Sequence, residues 1–346
     1  MIREKGYIGW LWSGIIMLLL VACSSSDDRI EPQVQEPQAP EQPDGNFSLV
    51  SFMRANNAMT VTDSYSPIGV FLVDGDGTTP VQSGRFVYKS NDELWKSSIE
   101  VTNGHNYAIY GYAPADAVSA AISSESLAGA TLTFSNLPTV STHDICFVVG
   151  VQQLETALTP KNIPLGSFSF IGQSSDNLAN LLMDHIYAGL KLQMTIDADY
   201  AKLRSIKIRK LELKTTTSTA ATTVTLVANN TGTSPVSSVT YATATGTERT
   251  ATFFDSTEGV TLNATELTEA NCCFIPTLGE DLTLVTTYDV YNKKGEKIGE
   301  RTATNKLPNM NAARGERVTL TMNIKPTYLY VLSDPDLDNP TVTITN

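Results

Sequence analysis

Three histidines, four cysteines and a few paired aspartates are the residues of this chain that could do acid–base, nucleophilic or metal chemistry. A cysteine nucleophile needs a base within hydrogen-bond reach. His143 and Cys146 stand three apart, so on one strand they point to opposite faces, and only a turn between them would let them meet. His105 lies in the turn-like TNGHN and His185 in MDHIYAG, without a G-x-S-x-G, H-E-x-x-H or phosphate-gripping glycine loop. No C-x-x-C or H-x-x-x-H spacing suggests zinc. Asp74 and Asp76 in VDGDG, and Asp334, Asp336 and Asp338 in SDPDLD, mimic the start of a calcium loop. They lack the glutamate that closes an EF-hand, and Pro335 and Pro340 suit a turn. The expectation is a protein that is not an enzyme, with no cofactor and no metal.

The remaining cysteine is Cys23, and its surroundings differ from the others. An apolar run from Ile8 to Val21, behind Arg3 and Lys5 and broken by Gly9, Ser13 and Gly14, ends at Ala22 and Cys23. It is shorter than the about 20 residues of a secure membrane span and has the form of a removable export signal. Leu20 to Cys23 resembles the lipobox of bacterial lipoproteins, which implies cleavage after residue 22 and lipidation of Cys23. Acyl chains bury CH₂ groups at about 0.8 kcal/mol each, so several on one cysteine anchor a protein without spanning the membrane. The Ser24 to Asp28 run resembles the signal that sends Bacteroidetes lipoproteins to the outer face of the outer membrane, or else is a solvated acidic spacer. Residues 23–45 then read as a lipidated Pro/Gln-rich linker that cannot pack a core.

Loss of residues 1–22 removes Arg3, Glu4 and Lys5 and takes the formal charge from −12 to −13. Such an acidic chain is a poor partner for nucleic acid. Cys146, Cys272 and Cys273 are too few for a disulfide framework, and the adjacent Cys272 and Cys273 are expected as buried thiols on opposite faces of a strand.

The elements that must position these residues read mostly as strands. IGVFLV (68–73) is a doubly buried strand ended by DGDG, and GLKLQMTID sets Leu190, Leu192, Met194 and Ile196 on one face. In LRSIKIRKLELK the apolar phase shifts between Ile208 and Leu211, so a β-bulge is expected near Arg209, with the Lys and Arg side chains on a solvated face. TYDVY, the turn NKKGEK and RVTLTMNI complete a hairpin-rich second half. Helical spacing is found only at 118–128 and 176–183. The expected class is all-β, with a sandwich over residues 46–180, a second over 181–325 and a C-terminal extension at 326–346.

SPIGVFLV, FVYKSNDELWKSSIEVTNGHNYAIYGYAP, LTFSNLPTVSTHDICFVVG, LMDHIYAGLKLQMTI, CCFIPT and ARGERVTLTMNI, in this order behind a lipobox, resemble the fimbrillin-like proteins of Bacteroidales, the subunits of type V pili. The resemblance spans about residues 46–346. It implies two tandem transthyretin-like β-sandwich domains, export as a lipoprotein, cutting by a trypsin-like processing protease, and polymerisation with other pilin subunits by strand exchange at the cell surface, for adhesion.

The matching bond is Arg54-Ala55, after a strand that carries Phe47, Leu49, Val50, Phe52 and Met53. Apolar residues on both its faces suit the inside of a sandwich. Their burial contributes on the order of 6 to 15 kcal/mol, so displacing this strand leaves a groove that must be refilled. Arg29 is an accessible rival, but cutting there removes no strand. The donor strand implied is the tail, with Tyr328, Tyr330 and Leu332 in one run and Val342 and Ile344 in the next; the alternative is a hairpin packed on its own domain. A different class of function, a non-polymerising surface lipoprotein that binds glycans, has in its favour only tyrosines and Trp95, the sole tryptophan after residue 22.

Overall fold

A computed structural model describes residues 47–54, 65–77, 81–154, 163–174, 177–229, 236–243, 247–276, 282–307, 310–326 and 335–345. About two thirds of these residues lie in strands and very few in helix, and the protein is all-β. The first sheet runs β10 (Ser169–Ile171), β5 (Asn106–Ala113), β2 (Ile68–Asp74), β3 (Val81–Lys89), β4 (Leu94–Ser97), β1 (Phe47–Arg54), β11 (Asn177–His185) and β9 (Cys146–Leu154). β9 also pairs with β5, at Tyr112↔Phe147 and Ala113↔Cys146, so the order closes on itself and β10 branches from β5. As expected from its unbroken apolar run, Ile68 to Val73 is buried throughout, between β3 and β5.

A second sheet has the order β21 (Pro335–Thr345), β20 (Arg317–Pro326), β12 (Ala188–Ile196), β17 (Thr268–Phe274) and β8 (Val140–Ser141). The third runs β16 (Arg249–Thr261), β13 (Arg204–Thr215), β18 (Leu282–Asn292) and β19 (Lys297–Leu307), and the fourth β15 (Val236–Thr243), β14 (Thr219–Val227), β7 (Gly129–Pro138) and β6 (Ala121–Ser126). The short helix α1 (Ala198–Ala201) follows β12, capped by Asp197, whose side chain accepts from the N–H groups of Asp199 and Tyr200.

Two hydrophobic cores result. The first holds Ile109, Tyr110, Val148 and Leu181 from the first sheet, with Leu132, Phe134, Val224 and Leu226 from the fourth. The second joins Leu190, Leu192, Met194, Leu320 and Met322 of the second sheet to Ile206, Ile208, Leu211, Leu213 and Leu284 of the third. Strict alternation along β12 puts Leu190, Leu192, Met194 and Ile196 inside while Lys191, Gln193 and Thr195 stay partly exposed. Cys272 faces the second core and Cys273 the first, as strand geometry requires of neighbours, and neither forms a disulfide. Position 180/181 falls inside β11, and the β14–β15 hairpin pairs with β7, so strands from both sides of that position share one sheet.

The two helical readings are corrected. Residues 121–126 form the edge strand β6, and 177–185 form β11. β11 lies between β1 and β9 and buries Ala179, Asn180 and Leu181 in succession, which spoils the alternation by which an amphipathic strand is known.

The bulge stands where the phase shift put it. The register of β13 slips between Ile208 and Lys210 against both β16 and β18. Arg209, the extra residue, is not merely solvated: Nε donates to Ser256 O at 2.9 Å, and Nη1 lies 3.1 Å from Oδ2 of the buried Asp289. At the β18–β19 turn, Asn292 Oδ1 accepts from the N–H groups of Lys294 and Glu296, and Gly295 takes φ +80°.

Candidate functional site

β1 is held along both edges. On one side it runs parallel to β11, from Phe47↔Asn177 to Arg54↔Met183, with an irregularity between Leu49 and Ser51. On the other it is antiparallel to β4, with Phe47↔Ser97, Ser48↔Lys96 and Leu49↔Trp95. Extended backbone is what the β-branched and aromatic content of FSLVSFMR favours, and the parallel pairing places the strand within the closed sheet. The strand comprises the backbone of Phe47, Leu49, Val50, Phe52 and Met53 and ends at Arg54; Ala55 lies outside the described residues, as does Cys23. The seat is apolar: Ala179, Leu181 and Met183 on β11 are at most 1 % exposed, and Trp95 on β4 is 8 % exposed.

The tail divides. Tyr328, Tyr330 and Leu332 lie outside the described residues, whereas the backbone of Val342 and Ile344 belongs to β21. β21 pairs antiparallel with β20, with Met322↔Val342 and Leu320↔Ile344, and ends the second sheet, so it has one hydrogen-bonded neighbour strand where β1 has two. Asp336 and Asp338 are part of that strand, and Asp334 lies outside the described residues.

The acidic turn after β2 is occupied with holding its own loop. Asp74 Oδ1 accepts from the N–H groups of Asp76 and Gly77, and His105 Nδ1 lies 3.0 Å from Asp74 Oδ2. Asp76 Oδ2 accepts from the backbone and side-chain amides of Asn106. Desolvation opposes ionisation of Asp74, but His105 and the Asp76 N–H outweigh it and hold the carboxyl below its usual range.

Of the cysteine–histidine pairings, the structure brings Cys146 to His185. The two are cross-strand partners at the ends of β9 and β11, and Asp144 joins them. Sequence reasoning missed this set because its members lie 39 and 41 residues apart. The only local signal is a pair of chemistry-bearing residues, Asp144 and His185, next to apolar strand residues. Near β4, Tyr65, Tyr88 and Trp95 form an aromatic cluster, with ring centroids 4.3 Å apart for Tyr65–Tyr88 and 4.7 Å for Tyr88–Trp95. Tyr65 is 63 % exposed.

Among the described residues no helix is long and apolar enough to cross a membrane. No family model and no curated protein matches the chain. Among solved structures, a candidate cell-adhesion protein from Bacteroides fragilis is 12% identical over 92% of this chain and 92% of that one, with a TM-score of 0.43. A fimbrial protein from Bacteroides vulgatus is 11% identical over 84% of this chain and 98% of that one, at 0.33. The fimbrial anchor protein Mfa2 from Porphyromonas gingivalis is 9% identical over 88% and 97%, at 0.32.

Proposed function

We propose that this chain is the precursor of a structural pilin subunit: lipidated on Cys23, carried to the outer membrane, cut between Arg54 and Ala55, and polymerised into adhesive fimbriae when another subunit's tail replaces β1. The observation that carries this reading is the seat of β1 between β11 and β4. Removing a strand with two neighbours exposes two rows of backbone groups and an apolar floor, and a strand from another chain restores both. The incoming strand must run parallel to β11 and antiparallel to β4 to repeat the lost pairing. β21, bonded along one edge, costs less to detach than an interior strand.

The test is limited digestion of the purified chain with a trypsin-like protease, followed by electrophoresis in SDS with and without heating. Cleavage after Arg54 should give heat-labile ladders. Quantitative cleavage there with only monomer remaining would overturn the proposal. Cys23→Ala should separately abolish lipid labelling and release the protein from membranes.

A second reading, a surface protein that binds glycans, is favoured by the exposed ring of Tyr65, which rests on Tyr88 and through it on the buried Trp95, since an exposed aromatic ring stacks on sugar rings. Saturable quenching of Trp95 fluorescence by an oligosaccharide, lost in Tyr65→Ala, would support it.

A further inference from the structure

Three different donor types converge where β9 and β11 end. His185 Nδ1 lies 2.7 Å from Asp144 Oδ2 and 3.6 Å from Cys146 Sγ, and the three ligand atoms lie within 4.8 Å of one another. Cys146 and His185 are 0 % exposed and Asp144 4 %. We infer that Asp144, Cys146 and His185 form a binding site for a zinc-like divalent cation, taken up as the protein folds.

The donor set is the first argument. A thiolate, an imidazole and a carboxylate are ligand types of zinc sites, and the three residues supply one donor atom each to three of four tetrahedral positions. Charge is the second: thiolate and carboxylate together carry two negative charges, which a divalent cation beside a neutral imidazole cancels, as a site with no access to water requires.

Distance is the third. With zinc bonds of about 2.3 Å to sulfur and about 2.0–2.1 Å to nitrogen, a tetrahedral centre separates the two atoms by about 3.6 Å, and the separation between Cys146 Sγ and His185 Nδ1 is 3.6 Å. The nitrogen and oxygen ligands of such a centre stand about 3.4 Å apart. Loading therefore moves the Asp144 carboxylate outward by a fraction of an ångström.

Surrounding groups fix the two strong ligands. Cys146 and His185 are register partners in the ladder. Ile186 N–H donates to Ile145 O at 2.8 Å, Tyr241 Oη donates to Ile186 O at 2.7 Å, and Arg314 Nη1 donates to His185 O at 2.8 Å. These bonds hold the backbone beside each ligand, the kind of outer support that metal sites depend on. The site would brace the end of β11, the strand against which β1 lies.

The experiment is metal analysis and spectroscopy of the full-length chain, refolded with one equivalent of Zn²⁺ or of Co²⁺ as its visible probe. One ion should be retained per chain through gel filtration, and the cobalt form should show a thiolate-to-cobalt charge-transfer band. Cys146→Ser should abolish the band and Cys272→Ser, in the other core, should keep it. Zinc should raise the thermal midpoint of the unsubstituted chain but not that of His185→Gln. Metal content well below one ion per chain, or a band that survives Cys146→Ser, would overturn the inference. Because the unsubstituted chain alone decides the first point, a variant that fails to fold does not shelter the idea.

Discussion

Arg54, the last residue of β1, stands in parallel register with Met183, whose side chain is fully buried. A cut just after Arg54 therefore severs the chain where β1 leaves its seat on β11. It frees the strand as a unit and leaves the buried floor in place. The same cut at Arg29, outside the described residues, would leave β1 attached to everything that follows it.

Arg54→Ala should accordingly give a stable monomer that no trypsin-like protease converts to ladders, while Arg29→Ala should still assemble. Unheated SDS gels of the two variants after digestion check this. Ladders from the Arg54 variant would show that another bond is the maturation site.

Deleting residues 328–346 removes β21 and the run before it but leaves β20, which is bonded to β12 along Gly189↔Arg317 to Ile196↔Ile324. The truncated chain should keep a cooperative thermal transition and accept a strand without giving one. Mixed with the full chain, it should shorten the ladder in proportion to its dose. Loss of the cooperative transition would make the tail part of the second core's own fold.

Asp289 is 0 % exposed, and its two cations reach solvent: Arg209 Nη1 lies 3.1 Å from Oδ2 and Lys297 Nζ 2.7 Å from Oδ1. The pair is therefore asymmetric. Replacing both cations, Arg209→Met with Lys297→Met, strands a carboxylate in the interior and should cost about 3–5 kcal/mol. Asp289→Asn leaves two cations free to hydrate and should cost about 1 kcal/mol. Urea unfolding of the two variants gives the order, and the reverse order would refute the account.

The Asp74 carboxyl ionises below the ordinary aspartate value of 3.8 in the folded chain. A carboxyl depressed on folding stabilises above its unfolded pKa, and that contribution is lost as pH falls through the lower folded value. Asp74→Asn should thus be less stable than the unsubstituted chain at pH 7, by about 1 kcal/mol for a charge-assisted bond. The gap should close as the pH drops below 3.8 toward the folded value. Thermal midpoints across that range measure it, and a gap independent of pH would mean the carboxylate's charge contributes nothing.

Local patterning by itself determined a good deal. Alternation in GLKLQMTID set the inward face of β12, the apolar run 68–73 announced β2, and the lost phase after Ile208 located the bulge at Arg209. It also divided Cys272 from Cys273. Each of these is a relation between residues one or two apart, which extended geometry fixes without reference to any partner. Tertiary structure alone decided the rest. The apolar residues of β11 follow its burial between β1 and β9, so their spacing imitated a helix. The β14–β15 hairpin crossed to β7, β1 took a parallel neighbour 130 residues away at Phe47↔Asn177, and Cys146 found His185. Pairing of this kind is chosen by which faces bury the most apolar surface once the chain has closed on itself. No window of the sequence carries that comparison.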